Sequence, residues 1–176
     1  MQASQAQSAS SLTTTDVWVV QVPHLKRALL FVVVLFPALF LPLHAAEMTI
    51  TNGSPLVFGT FSAGSGGTIT VNTSGSCSAG GGVILVIADC IAAEFTVTGD
   101  PSLTYLIELP ADNFATLSGP GSDMTITGLV SDPAGANGLL SVGGSQNLSV
   151  GGTLNIGSNQ AAGSYSGSFS VIVNYN

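Results

Sequence analysis

The residues of this chain that could carry chemistry are two cysteines and a set of carboxylates. The only Lys and Arg are Lys26 and Arg27, and the only His are His24 and His44. After residue 46 the charged side chains are carboxylates alone: Glu47, Asp89, Glu94, Asp100, Glu108, Asp112, Asp123 and Asp132. The usual general base, the Ser-His and Cys-His pairs and the Schiff-base lysine therefore lack their residues in this part. We predict that the protein is not an enzyme.

The missing cations also exclude classes of partner. Nucleic-acid binding depends on Lys and Arg that neutralise phosphate, so we exclude nucleic acid as a partner. Anionic membrane surfaces are disfavoured by the same argument of sign. The acidic balance is explained most simply as a device for solubility on a surface of Ser, Thr, Asn and Gly.

Cys77 and Cys90 are the only cysteines. In an oxidising compartment two cysteines most simply pair, and closing the loop between them would contribute about 3 kcal/mol. A metal site needs more ligands than two thiols, and no His follows residue 46 to complete one. A redox pair would normally be closer, as in C-x-x-C. We therefore predict a structural Cys77–Cys90 disulfide, with no cofactor and no metal.

Four of the carboxylates stand beside Pro, Gly, Ser or Asn: Asp100, Asp112, Asp123 and Asp132. Asp in such places usually caps a turn through its own backbone. The functional alternatives are calcium ligation and a two-carboxylate glycosidase site. The sequence contains no D-x-D-x-D-G calcium loop, and Trp18 is the only Trp. We assign no catalytic residue to these positions.

The first 46 residues have the features of a leader followed by a secretory signal peptide. Lys26-Arg27 precedes an apolar run, Ala28–Leu43, and the small residues Ala45 and Ala46 follow after His44. A membrane-spanning helix needs about 20 apolar residues, and this run is shorter and contains two prolines. Cleavage is expected after Ala45 or Ala46, since His44 is a poor residue three places before the second cut. We predict secretion to the periplasm or cell surface, with no stable membrane span after cleavage, and one domain over residues 47–176.

This domain reads as short strands separated by turns. Alternation of polar and apolar residues predicts strands at Met48–Thr51, Thr68–Asn72, Glu94–Gly99, Leu103–Leu109, Asp123–Val130, Asn147–Val150 and Thr153–Ile156, the last two separated by a Gly pair. The apolar run Gly82–Ile87 suits either a strand buried on both faces or a hairpin arm. No 3.6-residue period persists for ten residues. Short strands with turns between them predict an all-β fold, either a sandwich or a barrel, and an antiparallel β-sandwich with Greek-key connections is the first choice.

The last stretch, Gly163–Asn176, has the longest alternation. Tyr165, Phe169, Val171 and Val173 share one face, and the other face is mainly Ser and Asn. This length exceeds the roughly 5–6 residues of an ordinary strand, so we predict one long strand through the middle of a sheet.

Several segments resemble, in order and spacing, the bacterial domain of unknown function 4402 family. They are Leu56-Val57-Phe58-Gly59, Gly67-Thr68-Ile69-Thr70-Val71, Phe95-Thr96-Val97-Thr98-Gly99, Leu148–Gly157, Gln160–Gly167 and Val171–Tyr175. That family is itself similar to spore-coat-protein-U-like and archaic chaperone–usher pilus subunits. The resemblance implies a surface-exported immunoglobulin-like sandwich without enzyme activity.

Two hypotheses of function follow. The first is a non-enzymatic structural subunit of a surface fibre, with neighbours joined by strand addition and assisted by a periplasmic chaperone and usher. Relatives in that family usually carry an extra alternating segment before the first strand, whereas the signal peptide predicted here ends directly before Glu47. The chain is therefore expected to be a strand-accepting terminal subunit or a self-contained domain. The second hypothesis is a monomeric secreted binding module for carbohydrate or calcium.

Overall fold

The computed structural model of the protein describes residues 46–176. The strands are β1 (Thr49–Ser54), β2 (Thr60–Ser62), β3 (Gly67–Val71), β4 (Cys77–Gly81), β5 (Ile84–Ile87), β6 (Ala93–Thr98), β7 (Thr104–Glu108), β8 (Ala115–Leu117), β9 (Met124–Asp132), β10 (Gly138–Leu139), β11 (Ser145–Ile156) and β12 (Ile172–Tyr175). Within these residues no helix is long and apolar enough to cross a membrane. The predicted leader and the signal peptide up to Ala45 lie outside the described residues.

One layer of the fold is a seven-stranded antiparallel sheet organised around β11. Along one edge β11 pairs first with β6 and then with β3, and along the other edge it pairs with β9. Three further strands extend the sheet: β1 beside β6, β4 beside β3, and β8 beside β9. Of these pairs only β3–β4 and β8–β9 are consecutive in sequence, so the other connections leave this sheet before they return to it.

The second layer consists of two separate parts, a three-stranded sheet β10-β7-β12 and a two-stranded sheet β2-β5. Tyr105 and Ile107 from the first part pack on Leu148 of β11 in one apolar cluster. Phe58 and Val83, which flank the second part, pack on the same face of the large sheet in another cluster. The predicted all-β antiparallel sandwich is confirmed.

The predicted alternation is confirmed in β6 and β7. Val97 is fully buried, whereas Thr96 and Thr98 are exposed on the outer face of the sheet. Tyr105 and Ile107 are buried from the other layer.

The predicted break at Gly151-Gly152 is wrong, because β11 runs without interruption from Ser145 to Ile156. A Cβ atom at Gly151 would overlap the carbonyl oxygen of Val71, and one at Gly152 would press on Leu129. Because these two glycines have no side chain, the neighbouring strands β3 and β9 can approach β11 closely.

The alternation in Asp123–Val130 predicts that Met124, Ile126 and Val130 share the inward face, but the side chain of Val130 is 51% exposed. The register of β9 against β11 shifts beside this point, and Gly128 adopts a left-handed conformation with φ of 59°. Such a bulge changes which side chains face inward, and Leu129 packs on the core instead.

The run Gly82–Ile87 forms neither a strand buried on both faces nor a hairpin arm, because its strand partner is separated from it in the chain by β3 and β4. Its strand, β5, pairs with β2, and the side chains of Ile84, Val86 and Ile87 are largely exposed.

Candidate functional site

The C-terminal segment does not form the long central strand that its alternation predicts. Only Ile172–Tyr175 is a strand, and it lies at the edge of its sheet, paired with β7 alone. Between residues 160 and 171, the backbone–backbone hydrogen bonds are confined to Ser166, which exchanges two with Ser118. A sequence suited to a paired, two-faced strand therefore lies largely unpaired in the isolated chain.

The pairing with β7 stops where β7 meets a proline. Ile172 is opposite Glu108, and the chain beyond Glu108 continues into Leu109-Pro110. Proline has no N–H to donate to a strand ladder, so the two chains separate. A cavity of about 370 Å³ opens at this point, lined by Leu109, Phe114 and Phe169 among others.

A larger groove, of about 770 Å³, lies between residues 160–167 and residues 55–63. Residues 55–63 include β2, and residues 160–167 precede β12 in the chain, so each wall adjoins one of the two parts of the second layer. The lining includes Leu117, Met124 and Leu154, and none of the lining residues carries a charge. The groove is therefore an uncharged gap in the second layer, over the core of the sandwich.

The wall formed by residues 55–63 pairs on the side away from the groove. Val57 donates to and accepts from Ile91, at 2.8 and 3.0 Å, and β2 pairs with β5. In an extended chain the backbone groups of adjacent residues point to opposite edges. The groups of Leu56 and Phe58 make no backbone–backbone hydrogen bond. This wall consequently offers unpaired donors and acceptors toward the gap.

Tyr165 fixes the opposite wall. Its hydroxyl accepts a hydrogen bond from the Gly121 amide at 2.9 Å and donates one to the Ala161 carbonyl at 2.9 Å. A Cβ atom at Gly121 would overlap that hydroxyl, so glycine is needed there for the tyrosine to reach. Further along, the ring of Phe169 lies edge-on to Phe95, with centroids 6.4 Å apart. Aromatic contacts thus hold the segment in place where neighbouring strands do not.

The predicted Cys77–Cys90 disulfide is confirmed, with the two Cα atoms 6.0 Å apart. It joins β4 to the residues that follow β5. Cys90 directly precedes Ile91, the backbone partner of Val57. The disulfide therefore stabilises the wall formed by residues 55–63, on the side away from the groove.

Two of the carboxylates bind backbone amides of distant segments rather than those of their own turns. Asp112 accepts a hydrogen bond from the Gly128 amide at 2.7 Å, at the bulge in β9. Asp100 accepts one from the Ala46 amide at 3.0 Å. In residues 46–176 no group of three or more His, Cys, Asp or Glu side chains could hold a metal ion.

Sequence reasoning missed residues 55–63 as part of a site. In the apolar run Leu56–Phe61, Phe58 is buried, and Leu56 and Phe61 pack against the same apolar cluster. The available signal was indirect. The alternation of Gly163–Asn176 is longer than the part that pairs with its one strand neighbour, β7.

Comparison with known proteins places most of this chain in one family. Residues 48–175 match the family model described as a domain of unknown function (DUF4402). No curated protein and no solved structure matches the chain.

Proposed function

This chain belongs to the DUF4402 family, and on that premise we propose that it is an exported, non-enzymatic structural subunit of a surface fibre. In this proposal the groove between residues 55–63 and 160–167 accepts an extended segment from a neighbouring subunit. The subunit accepts a strand and donates none. Export by a signal peptide, and the resemblance to pilus subunits, supply the cellular setting.

The observation that carries the proposal is the unpaired backbone on both walls of the groove. A strand laid between Phe58 and Tyr165 would bond to both walls and join the two parts of the second layer into one sheet. Exposed edges invite such pairing, and proteins commonly prevent it with Lys on the edge. No Lys follows residue 26 in this chain.

The lining specifies the chemistry of the occupant. Apolar side chains at alternate positions would contact Leu117, Met124 and Leu154, while the intervening side chains faced solvent. A charge facing inward would be desolvated with no partner, because the lining has no charged residue. The occupant is therefore an uncharged, alternating strand.

A tethered strand tests the proposal within one chain. We would append to Asn176 a short turn and a strand of alternating Val and Thr that is long enough to fold back along all of residues 163–175. The control carries the same residues shifted by one position, so that Thr replaces Val on the inward face. We expect the melting temperature to rise by at least 5 °C with the first strand and by less than half as much with the control. Equal shifts for the two proteins would contradict the proposal.

A separate peptide tests the intermolecular step. Residues after Trp18 contain no Trp, so a Trp placed on the inward face of the peptide reports its own burial without background. Binding should move the emission to shorter wavelength and follow a one-to-one stoichiometry. A peptide that gives no shift at millimolar concentration, with the tethered strand also ineffective, would overturn strand acceptance.

A further inference from the structure

Ala46, Asp100 and Tyr175 form a closed set of hydrogen bonds at one end of the sandwich. The Ala46 amide donates to the Asp100 carboxylate at 3.0 Å, and the Tyr175 hydroxyl donates to the Ala46 carbonyl at 3.1 Å. The Asp100 amide donates to the same hydroxyl at 2.7 Å. A Cβ atom at Gly99 would overlap that hydroxyl, so glycine is needed for the set to close. The beginning of the folded part is thereby joined to its last strand.

The position of Ala46 separates the two cuts that the signal peptide allows. A cut after Ala46 would remove the residue that makes two of these hydrogen bonds. A cut after Ala45 keeps it. Small residues are preferred three places before a cut, and neither cut has one there, since the position is Leu43 for the first cut and His44 for the second, so the hydrogen bonds of Ala46 distinguish the two.

We infer that processing hydrolyses the Ala45–Ala46 peptide bond and that the new α-ammonium group of Ala46 pairs with Asp100. This inference rests on the proposed export of the chain. Water adds across the C–N bond, so that Ala45 leaves with a carboxylate and Ala46 keeps the protonated amine. Every Lys, Arg and His precedes residue 45. The ammonium group is therefore the single positively charged group of the processed chain, and it lies at the carboxylate that already accepts its N–H.

This pair has a consequence for assembly. Cleavage at this point leaves Ala46, Glu47 and Met48 ahead of β1, and Ala46 is held by Asp100 and Tyr175. A donated strand needs about five or six free residues. The N-terminal segment therefore stays on its own subunit, and strand donation to a neighbour is prevented.

The cut is tested by mass spectrometry of the protein purified from the periplasm of an expressing bacterium. We expect the N-terminal peptide to begin at Ala46. A chain that begins at Glu47 or later overturns this inference and leaves strand acceptance intact. A chain that keeps the leader overturns both this inference and the proposed export.

The ion pair is tested by acetylation, because the processed chain has no Lys and an amine-specific reagent modifies the N-terminus alone. Acetylation should lower the melting temperature by about 1–3 °C at low ionic strength, and by less in 1 M salt. In the Asp100→Asn variant, which keeps a hydrogen-bond acceptor without the charge, acetylation should have no effect. An equal decrease in both proteins would show that the ammonium group and Asp100 are not coupled.

Discussion

Ser166 and Ser118 exchange two backbone hydrogen bonds, of 2.9 and 3.0 Å, across the boundary between the C-terminal segment and the end of β8. Within the described chain, no other residue from 160 to 171 has a backbone partner. One edge of this segment is therefore fixed at a single point, while the edge toward Phe58 is free. The segment is held in a suitable position for a strand that the isolated subunit does not supply.

Replacing Ser166 by proline removes one of these hydrogen bonds. We expect the Ser166→Pro variant to lose about 1–3 kcal/mol of unfolding free energy in urea denaturation, because proline cannot donate and the partner carbonyl of Ser118 loses its donor. Ser168→Pro is the matched control, since Ser168 has no backbone partner. Equal losses in the two variants would show that the bridge does not hold the segment.

Two leucines on the inner face of β11 distinguish the groove from the rest of the core. Leu154 and Leu148 are both fully buried, but only Leu154 lines the groove. Each change to Ala should destabilise the isolated protein by about 2–5 kcal/mol. Only Leu154→Ala should also reduce the additional stability that the tethered Val-Thr strand provides. If Leu148→Ala reduced that gain equally, the strand would not lie in this groove.

From the burial of Tyr105 we predict that the folded protein loses stability in alkali. Burial raises the pKa of the Tyr105 phenol above its usual value near 10. The folded protein therefore holds this proton more tightly than the unfolded chain, so the contribution is complete below pH 10 and is lost as the pH rises through the folded-state pKa. Unfolding free energy measured between pH 8 and 11 should fall more steeply for the native protein than for Tyr105→Phe. Parallel curves would contradict this assignment.

The disulfide should contribute substantially to stability. Loss of the Cys77–Cys90 bond, which closes a sequence separation of 13 residues, should cost about 2–4 kcal/mol. Urea denaturation with and without dithiothreitol measures this cost, and the Cys77→Ser, Cys90→Ser double variant should be insensitive to the reductant. Binding of the Trp-containing peptide should also weaken, because the bond braces the wall at Val57.

Much of the fold could be predicted from local patterns. The alternation in β6 and β7 placed Val97, Tyr105 and Ile107 in the core, since a strand exposes opposite faces every second residue. The two cysteines could pair in only one way. Local patterns failed at Gly151-Gly152 and at Val130, where the outcome depends on how closely a neighbouring strand approaches and where a register shifts.

The candidate site was less accessible to sequence reasoning. The alternation in Gly163–Asn176 correctly predicted a segment with one apolar and one polar face. Strand pairing, however, needs a second strand at hydrogen-bonding distance. The structure shows that β7 provides this only as far as Glu108. The other wall, residues 55–63, is about a hundred positions away in sequence, and no local pattern relates the two.

By itself, the sequence determined that the chain is built of strands, that its described part has no basic side chain and that Cys77 and Cys90 would join. These properties depend on residue type and on spacing along the chain. Only the tertiary structure decided that the second layer is divided and that Phe58 and Tyr165 line opposite walls of one groove. Those properties depend on which backbone groups find partners, and that is settled by the packing of segments distant in sequence.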